Sequence, residues 1–353
     1  MSIRQWLGYT HQLFRSQAQD IGYRSVRYAN GVYVAVGHQK GFPFGVYPTV
    51  GAAVTCAGCS WSADGINWTD SRLPFTGTSM CYQDAQYDGT GRWMAGAGEY
   101  LTASRRTYIA FSTDNAKTWS APTLYGNDEI RALHGSFGKH FLATVNAPLG
   151  VPQAQERVFV NGVQNIFRNM QIDWLGGAAA TTASDYIVFP SAWTSRVWNA
   201  GVITENGAWT GWFNGIDRGN AGTWYTLYDA SFGLLNQFWV LASDTTTSVG
   251  QRGRAIWNAS GGGSNWTRTA TLPFVAGSKG PYYKLAYARD IGVMAAIGDG
   301  IMQVTKDGTN WTEIQIPAGA WRGVASNGTD FVCVSETGER LKVSGLGVSA
   351  RMP

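Results

Sequence analysis

Arginine and aromatic residues are concentrated in five segments of this chain that contain few acids. The segments run from His38 to Thr55, Glu99 to Thr107, Asn146 to Arg157, Ser191 to Arg196 and Ser243 to Arg254. Their candidate ligand-binding residues are Phe42, Phe44, Tyr47, Tyr100, Arg105, Arg106, Trp193, Arg196, Arg252 and Arg254, with Lys40 and Arg157 beside them. Guanidinium groups bind carboxylate or phosphate through paired hydrogen bonds, and aromatic rings offer flat apolar faces to sugar C–H groups. This combination favours binding of an acidic carbohydrate; the alternative is a set of solvated loops without a ligand.

Other chemistry has weaker support in the sequence. Glycosidases need two carboxyl groups flanking the bond, and the 23 acids here are scattered. Cys56 and Cys59 have a zinc-like spacing, but structural zinc sites commonly use two such pairs and no second pair is present. A local disulfide or two free thiols both remain open for this pair, and Cys333 is expected in the core. We therefore expect no catalytic residue, no metal and no cofactor.

Composition narrows the class of protein. The 353 residues are 44% hydrophobic and 13% aromatic, which excludes a disordered chain. A formal net charge of +4 without a long basic block argues against nucleic-acid binding. No apolar run approaches the roughly 20 residues that span a bilayer, so no membrane insertion is expected. The first residues lack the apolar stretch of a signal peptide.

A turn followed by a short apolar strand occurs seven times. The copies are NGVYVAVG from Asn30, TGRWMAGAG from Thr90, GKHFLATV from Gly138, SDYIVFP from Ser184, NQFWVLAS from Asn236, RDIGVMAAIG from Arg289 and GTDFVCVSE from Gly328. Each is rich in β-branched and aromatic residues, as buried strands are. Tryptophan-bearing elements interleave with them at spacings of 35 to 57 residues, around the ~40–50 residues of a propeller blade.

The repeat predicts an all-β, single-domain, seven-bladed β-propeller of four-stranded antiparallel blades. The blade spans are approximately 21–74, 75–126, 127–174, 175–216, 217–273, 274–317, and 318–353 together with 1–20. An N-terminal strand around Trp6 is expected to complete the last blade as its outermost strand and so close the ring. Loops after the second strand of each blade share one face, so the five basic and aromatic segments are expected to lie together.

Three tryptophan turns carry a motif. SADGINW begins at Ser62, STDNAKTW at Ser112 and TKDGTNW at Thr305. They resemble the Asp-box, S-x-D-x-G-x-x-W, of sialidases and other proteins with bacterial neuraminidase-type repeats, although Ala116 replaces the glycine and two copies are one residue shorter. The residues that carry the motif are Ser62, Asp64, Trp68, Ser112, Asp114, Trp119, Asp307 and Trp311.

The motif suits a structural turn. The aspartate can accept hydrogen bonds from nearby backbone N–H groups and the glycine supplies a positive φ. Trp68, Trp119, Trp266 and Trp311 are expected to be largely buried between blades. In the resembling families these turns lie opposite the binding face. A sialidase would also need an arginine triad, an F/Y-R-I-P segment and a Tyr–Glu pair, and no F/Y-R-I-P occurs here.

The leading functional hypothesis is a non-enzymatic propeller that recognises an anionic host-surface glycan. Its tryptophan- and glycine-rich, low-charge composition resembles receptor-binding proteins of tailed bacteriophages. That resemblance implies a virion location, or the cytoplasm before assembly, with other tail proteins as partners. The alternatives are a sialidase-like glycoside hydrolase and a structural propeller that docks a protein.

Overall fold

The computed structural model describes residues 2–6, 9–18, 20–39, 57–73, 80–100, 105–136, 138–146, 153–170, 175–180, 185–190, 198–204, 209–216, 225–244, 254–260, 267–272 and 282–347. Within these ranges the regular structure is β-strand, apart from the 3₁₀ turn Leu234–Asn236. No helix in them is long and apolar enough to cross a bilayer.

The strands follow one another along the chain as successive blades. In chain order they are β1 (Ser2–Trp6), β2 (Tyr9–Gln17), β3 (Ile21–Ala29), β4 (Val32–Gln39), β5 (Ala57–Ser62), β6 (Thr69–Leu73), β7 (Met80–Tyr87), β8 (Trp93–Tyr100), β9 (Arg105–Ser112), β10 (Thr123–Gly126), β11 (Glu129–Ser136), β12 (Lys139–Asn146), β13 (Gln153–Val160), β14 (Val163–Met170), β15 (Leu175–Ala180), β16 (Asp185–Pro190), β17 (Trp198–Thr204), β18 (Trp209–Ile216), β19 (Tyr225–Phe232), β20 (Gln237–Asp244), β21 (Arg254–Ser260), β22 (Thr267–Thr271), β23 (Tyr282–Ala288), β24 (Val293–Gly298), β25 (Ile301–Thr305), β26 (Thr312–Ile314), β27 (Trp321–Ser326), β28 (Phe331–Ser335) and β29 (Glu339–Ser344).

These strands form seven antiparallel sheets. Six are four-stranded meanders, β3–β6, β7–β10, β11–β14, β15–β18, β19–β22 and β23–β26, which we number blades one to six. The seventh has the order β27-β28-β29-β2-β1. The first strand of each sheet contacts the first strand of the next, and β27 contacts β3, so the sheets close into a ring. The predicted all-β propeller is therefore confirmed, and the strands of each sheet fall inside one predicted blade span.

The seven apolar segments found in the sequence are the second strands of the blades. All six residues of β24 and all five of β28 are buried, because a neighbouring blade packs on each side of them. Apolar clusters accordingly join the second strand of one blade to strands of the next. Tight turns lead into several of these strands. Asn30 and Gly31, for example, both have positive φ (49° and 78°), as a two-residue hairpin turn requires.

The ring closes through the N-terminal strands, with one difference from the prediction. β2 pairs with β29, and β1 pairs with β2 as the outermost strand. The last blade therefore has five strands rather than four, because the chain enters as a hairpin. Across the closing interface Arg340 Nη1 lies 2.5 Å from Asp70 Oδ1, and Lys342 Nζ donates to the Asp64 carbonyl at 2.9 Å.

The motif tryptophans are less buried than predicted. Trp68, Trp119 and Trp311 are half-buried and pack at the margins of apolar clusters, and Trp266 lies outside the described residues. They stay near the surface because they follow solvent-facing turns. Among the tryptophans whose side chains the structure describes, the fully buried ones are Trp93, Trp239 and Trp321, on first or second strands.

Candidate functional site

One face of the ring carries the connections between second and third strands. In blades one to five these connections are residues 40–56, 101–104, 147–152, 191–197 and 245–253. In blades six and seven they are only 299–300 and 336–338. We call this side the loop face. The connections lie where the sequence predicts them, except in blades two and three. In blade two β8 and β9 extend into the expected loop and leave four residues, with Glu99 and Tyr100 opposite Arg106 and Arg105. In blade three β13 begins at Gln153 and takes up nearly half of the loop predicted from Asn146 to Arg157.

The structure places part of the predicted ligand set. Tyr100 and Arg105 are opposite each other at the end of the blade-two hairpin, and the next residue, Arg106, is half-buried. Arg254 begins β21, opposite Ser243. The remaining predicted residues lie outside the described residues: Phe42, Phe44, Tyr47, Trp193, Arg196 and Arg252. Convergence of the whole set therefore stays a prediction.

Arg157, which the sequence grouped with the loop arginines, has a structural position. It lies within β13, is buried, and its Nη2 is 3.0 Å from Asp128 Oδ2. Its guanidinium also donates to the Tyr125 carbonyl. This buried and ion-paired arginine links β13 to the residue before β11. We therefore remove Arg157 from the candidate ligand set.

A β-bulge interrupts each of the seven innermost strands near its first residues. The residues skipped by the register are Arg24, Gln83, Arg131, Gly176, Tyr228, Tyr283 and Arg322. Innermost strands start on the loop face, because strand direction alternates within a blade. Bulges re-aim side chains and are common beside functional sites. Seven bulges thus surround the loop-face end of the central channel.

Two of the bulged residues are arginines in a buried ionic cluster. Arg322 Nη2 donates to Glu336 Oε2 at 3.2 Å, its Nε lies 3.1 Å from Glu336 Oε1, and its Nη1 donates to Asp299. The Tyr283 ring centre lies 4.2 Å from the Arg322 Cζ. Asp299 and Glu336 belong to the two short second-to-third-strand turns. We call Arg24, His38, Tyr283, Asp299, Arg322 and Glu336 the channel-mouth cluster.

The channel-mouth cluster is held by burial as well as charge. Arg24 Nε donates to His38 Nε2 at 3.0 Å, which requires the neutral imidazole as acceptor. Burial raises the pKa of Glu336, although Arg322 opposes that shift. Arg24 and Arg322 are 5% and 6% exposed. A ligand reaching this cluster would meet pre-oriented groups rather than free charges.

Deeper in the channel, the acid on β7 is neutralised by the neighbouring blade. Arg27 on β3 donates to both oxygens of Asp84, at 3.2 and 2.9 Å, and the Ser25 hydroxyl donates at 2.5 Å. Burial alone would raise the pKa of Asp84, but Arg27 outweighs it and the pKa is lowered. An ionised carboxylate that accepts all of these hydrogen bonds links blade one to blade two.

The acid on β19 is held in the same way. Asp229 accepts from the Leu285 N–H at 2.9 Å and from Lys284 Nζ at 3.4 Å, both in the next blade. Asp84 and Asp229 are therefore bound to basic and amide donors instead of flanking an open space. Within the described ranges, no three histidine, cysteine, aspartate or glutamate residues are grouped as a metal site would require.

The three motif turns lie on the opposite face, where third and fourth strands connect. In the first, Asp64 Oδ1 accepts from the N–H groups of Ile66 and Asn67, both at 2.8 Å. Burial alone would raise the pKa of Asp64, but the hydrogen bonds outweigh burial, and the pKa is lowered to about 2. Gly65 has φ +74°, and its carbonyl accepts from Trp68 Nε1 at 3.1 Å.

The other two motif turns repeat this network. Asp307 Oδ1 accepts from the N–H groups of Thr309 and Asn310 at 2.9 and 2.7 Å. Asp114 accepts from the Thr118 N–H at 2.9 Å, in a turn one residue longer. Each carboxylate is thus used inside its own turn, which leaves it no chemical role toward a ligand.

The channel-mouth cluster was missed by sequence reasoning, although one signal was present. Each of its arginines directly follows a large aromatic residue near the start of an innermost strand, as in Tyr23-Arg24 and Trp321-Arg322. A similar arrangement recurs at Tyr82-Gln83 and Ile130-Arg131. Aligning the first strands of the repeats would have revealed it.

Comparisons with known proteins identify the fold alone. The chain matches no family model and no curated protein. Among solved structures it is similar to virginiamycin B lyase from Staphylococcus aureus, with 13% identity and a TM-score of 0.59 over 95% of this chain and 99% of that one. The Dos1 propeller has 10% identity and a TM-score of 0.54 over 94% of each chain. The GH74 xyloglucanase from Xanthomonas campestris has 12% identity and a TM-score of 0.57 over 94% of this chain and 53% of that one.

Proposed function

We propose that this propeller is a non-enzymatic binding protein whose loop face recognises an anionic host-surface glycan. The contrast between its two faces carries the proposal. The motif turns on one face use their polar groups internally. On the other face, the connections of blades one to five are longer than those of blades six and seven and fall in sequence segments rich in arginine and aromatic residues.

The assignments of the turns as Asp-boxes and of the chain as a bacteriophage tail protein rest on turn chemistry and composition. Hydrogen bonding around Asp64 and Asp307 supports an Asp-box character for these turns. A chain with 16 tryptophans, 45 glycines and 14% charged residues supports a tail protein of a bacteriophage virion. Mass spectrometry of purified virions tests that location, and absence of the chain from them would contradict it.

Binding to an array of neutral and acidic glycans at low and high salt tests the function. Acidic glycans should bind, and binding should weaken as salt rises, because charges are screened over about 8 Å at physiological ionic strength. Arg105→Ala with Arg106→Ala should weaken the salt-dependent part. Trp193→Ala should remove a salt-insensitive part, because stacking is not ionic.

Lys117→Ala is the matched control, since it removes an exposed charge from the opposite face. It should bind as the unaltered chain does. If no acidic glycan binds, or if the loop-face variants bind like the control, the proposal is wrong and docking of a protein becomes the leading function. Turnover of fluorogenic glycosides would instead favour a sialidase-like hydrolase.

A further inference from the structure

The loop face is divided by charge. The five sequence segments that supply the connections of blades one to five contain more basic than acidic residues. In the connections of blades six and seven, residues 299–300 and 336–338, the only charged residues are Asp299 and Glu336. A ligand that covers the loop face therefore meets basic segments over five blades and carboxylates over the other two.

Asp299 is more accessible than its partners in the channel-mouth cluster. Its side chain is 18% exposed, against 11% for Glu336 and 7% for Arg322. Its Oδ1 accepts from Arg322 Nη1, and its Oδ2 accepts from the Tyr283 hydroxyl at 3.4 Å. A carboxylate has about four acceptor positions. Within the described part of the chain, these two contacts leave acceptor positions on Asp299 for a donor from a ligand.

Asp299 is also fixed in place and has a counter-ion. The guanidinium of Arg322 that binds it is itself held by Glu336, with Nε 3.1 Å from Oε1 and Nη2 3.2 Å from Oε2. The Arg322 Cζ lies 4.2 Å from the Tyr283 ring centre. An ionised carboxylate accepts hydrogen bonds and donates none. A hydroxyl group can donate to it without adding charge, whereas a ligand carboxylate would bring a like charge and no proton.

We propose that Asp299 accepts a hydrogen bond from a hydroxyl group of an uncharged sugar, while the basic segments of blades one to five hold the acidic sugar next to it. This subsite rests on the proposed function and narrows its ligand to glycans in which neutral sugars adjoin acidic ones. A polymer with a carboxylate on every sugar would place one against Asp299. A site built to bind a hydroxyl discriminates strongly against a ligand that lacks it.

The test compares two sets of oligosaccharides of equal length by titration calorimetry. In the first set uronic acids alternate with neutral hexoses, and in the second every sugar is a uronic acid. The full chain should bind the alternating set at least about tenfold more tightly, which is the effect of one hydrogen bond to a charged group. Deoxy analogues, each lacking one hydroxyl of the neutral hexose, identify the contact. For at least one hydroxyl, binding should weaken about tenfold at low and high salt alike, because the group removed is uncharged.

Asp299→Asn couples the side chain to that hydroxyl. The amide keeps an oxygen for Arg322 but is a weaker acceptor than a carboxylate, so binding of the alternating set should weaken about tenfold. The deoxy analogue should then bind this variant about as well as its parent sugar does, because contacting groups are not additive. Asp290→Asn is the matched control. It makes the same change of charge at an exposed position in the β23–β24 connection, on the opposite face of the same blade, and should alter neither comparison.

Melting temperatures establish that both variants are folded. If Asp299→Asn does not fold, the oligosaccharide comparison on the unaltered chain decides alone. Equal affinity for the two sets, no loss with any deoxy analogue, or equal deoxy losses in the unaltered chain and folded Asp299→Asn would each overturn the hydroxyl subsite and leave the proposed function standing. If acidic glycans on the array bind but neither set does, the subsite is likewise wrong by itself. If no acidic glycan binds at all, the proposed function and the subsite fall together.

Discussion

Gly308 in the blade-six motif turn should be intolerant of a side chain. Its φ is +72°, and a methyl group built there would overlap the Trp239 ring in blade five, with Cζ3 and Cζ2 at 2.5 and 2.8 Å. Trp239 cannot move aside easily. It is fully buried, and its Nε1 donates to the Leu234 carbonyl at 2.9 Å.

The expected cost of Gly308→Ala has two parts. A left-handed alanine costs roughly 1–2 kcal/mol, and overpacking a dense core costs about 1–3 kcal/mol more. The free energy of unfolding should therefore fall by about 2–5 kcal/mol. With an unfolding entropy of roughly 2.1 cal/mol/K per residue, the melting temperature should fall by about 3–7 °C.

Gly292→Ala separates the two parts. Gly292 lies in the same blade with φ +63°, but a methyl group there would meet nothing within 4 Å. It should lose only the roughly 1–2 kcal/mol of the left-handed conformation. Calorimetry and urea unfolding of both variants give the comparison. Equal losses would refute the argument that motif turns stabilise the ring by packing on the preceding blade.

Three further outcomes are expected. Burial raises the pKa of Asp307, but hydrogen bonds from Asn310 and Thr309 outweigh it and lower the pKa to about 2. The ionised Asp307 therefore adds to the free energy of unfolding above the unfolded pKa of 3.8, and this contribution is lost as pH falls toward 2. Asp307→Asn should flatten this part of the pH dependence when the free energy of unfolding is measured across acid pH. Burial lowers the pKa of His140 from 6.5 to about 4, so the unfolded chain takes up a proton first and the free energy of unfolding decreases as pH falls from 6.5 to 4. Burial likewise lowers the pKa of His134, to about 3, which adds to the same slope. His140→Gln should therefore reduce the slope without removing it, and an unchanged slope would contradict this expectation. Deleting residues 1–17 should lower the melting temperature far more than deleting 1–8, because β2 pairs with β29 whereas β1, among the described strands, pairs with β2 alone. Equal melting temperatures would contradict this closure.

The sequence predicted the architecture because each blade repeats one strong local signal. A turn followed by a mostly apolar strand marks every second strand, such as Val293–Gly298, all of whose residues are buried. β2 gave no such signal. Its sequence YTHQLFRSQ is mostly polar, since it lies near the outside of its blade, so the second N-terminal strand was not predicted.

The candidate site was only partly predictable, for a different physical reason. Clustering of basic and aromatic residues between strands identifies a face, because strand direction alternates within a blade. The contact of Arg322 with Glu336 and Asp299 depends on how three turns and strands meet around the channel. Likewise, the register of β8 with β9 places Glu99 opposite Arg106 and so shortens the blade-two connection. Composition does not predict this register.

Structural contacts explain why the shortest connections of the loop face are those of blades six and seven. The short connections of blades six and seven supply Asp299 and Glu336, which both bind Arg322 beside the closing interface. Those turns cannot lengthen without removing a partner from a buried guanidinium, which would leave an uncompensated charge. The motif turns are fixed as well, because they pack on preceding blades. In blades one and two the second strands and motif turns hold the core, so a long connection after the second strand costs the ring little there. The proposed binding surface is therefore expected on the longer connections, next to the buried channel-mouth cluster.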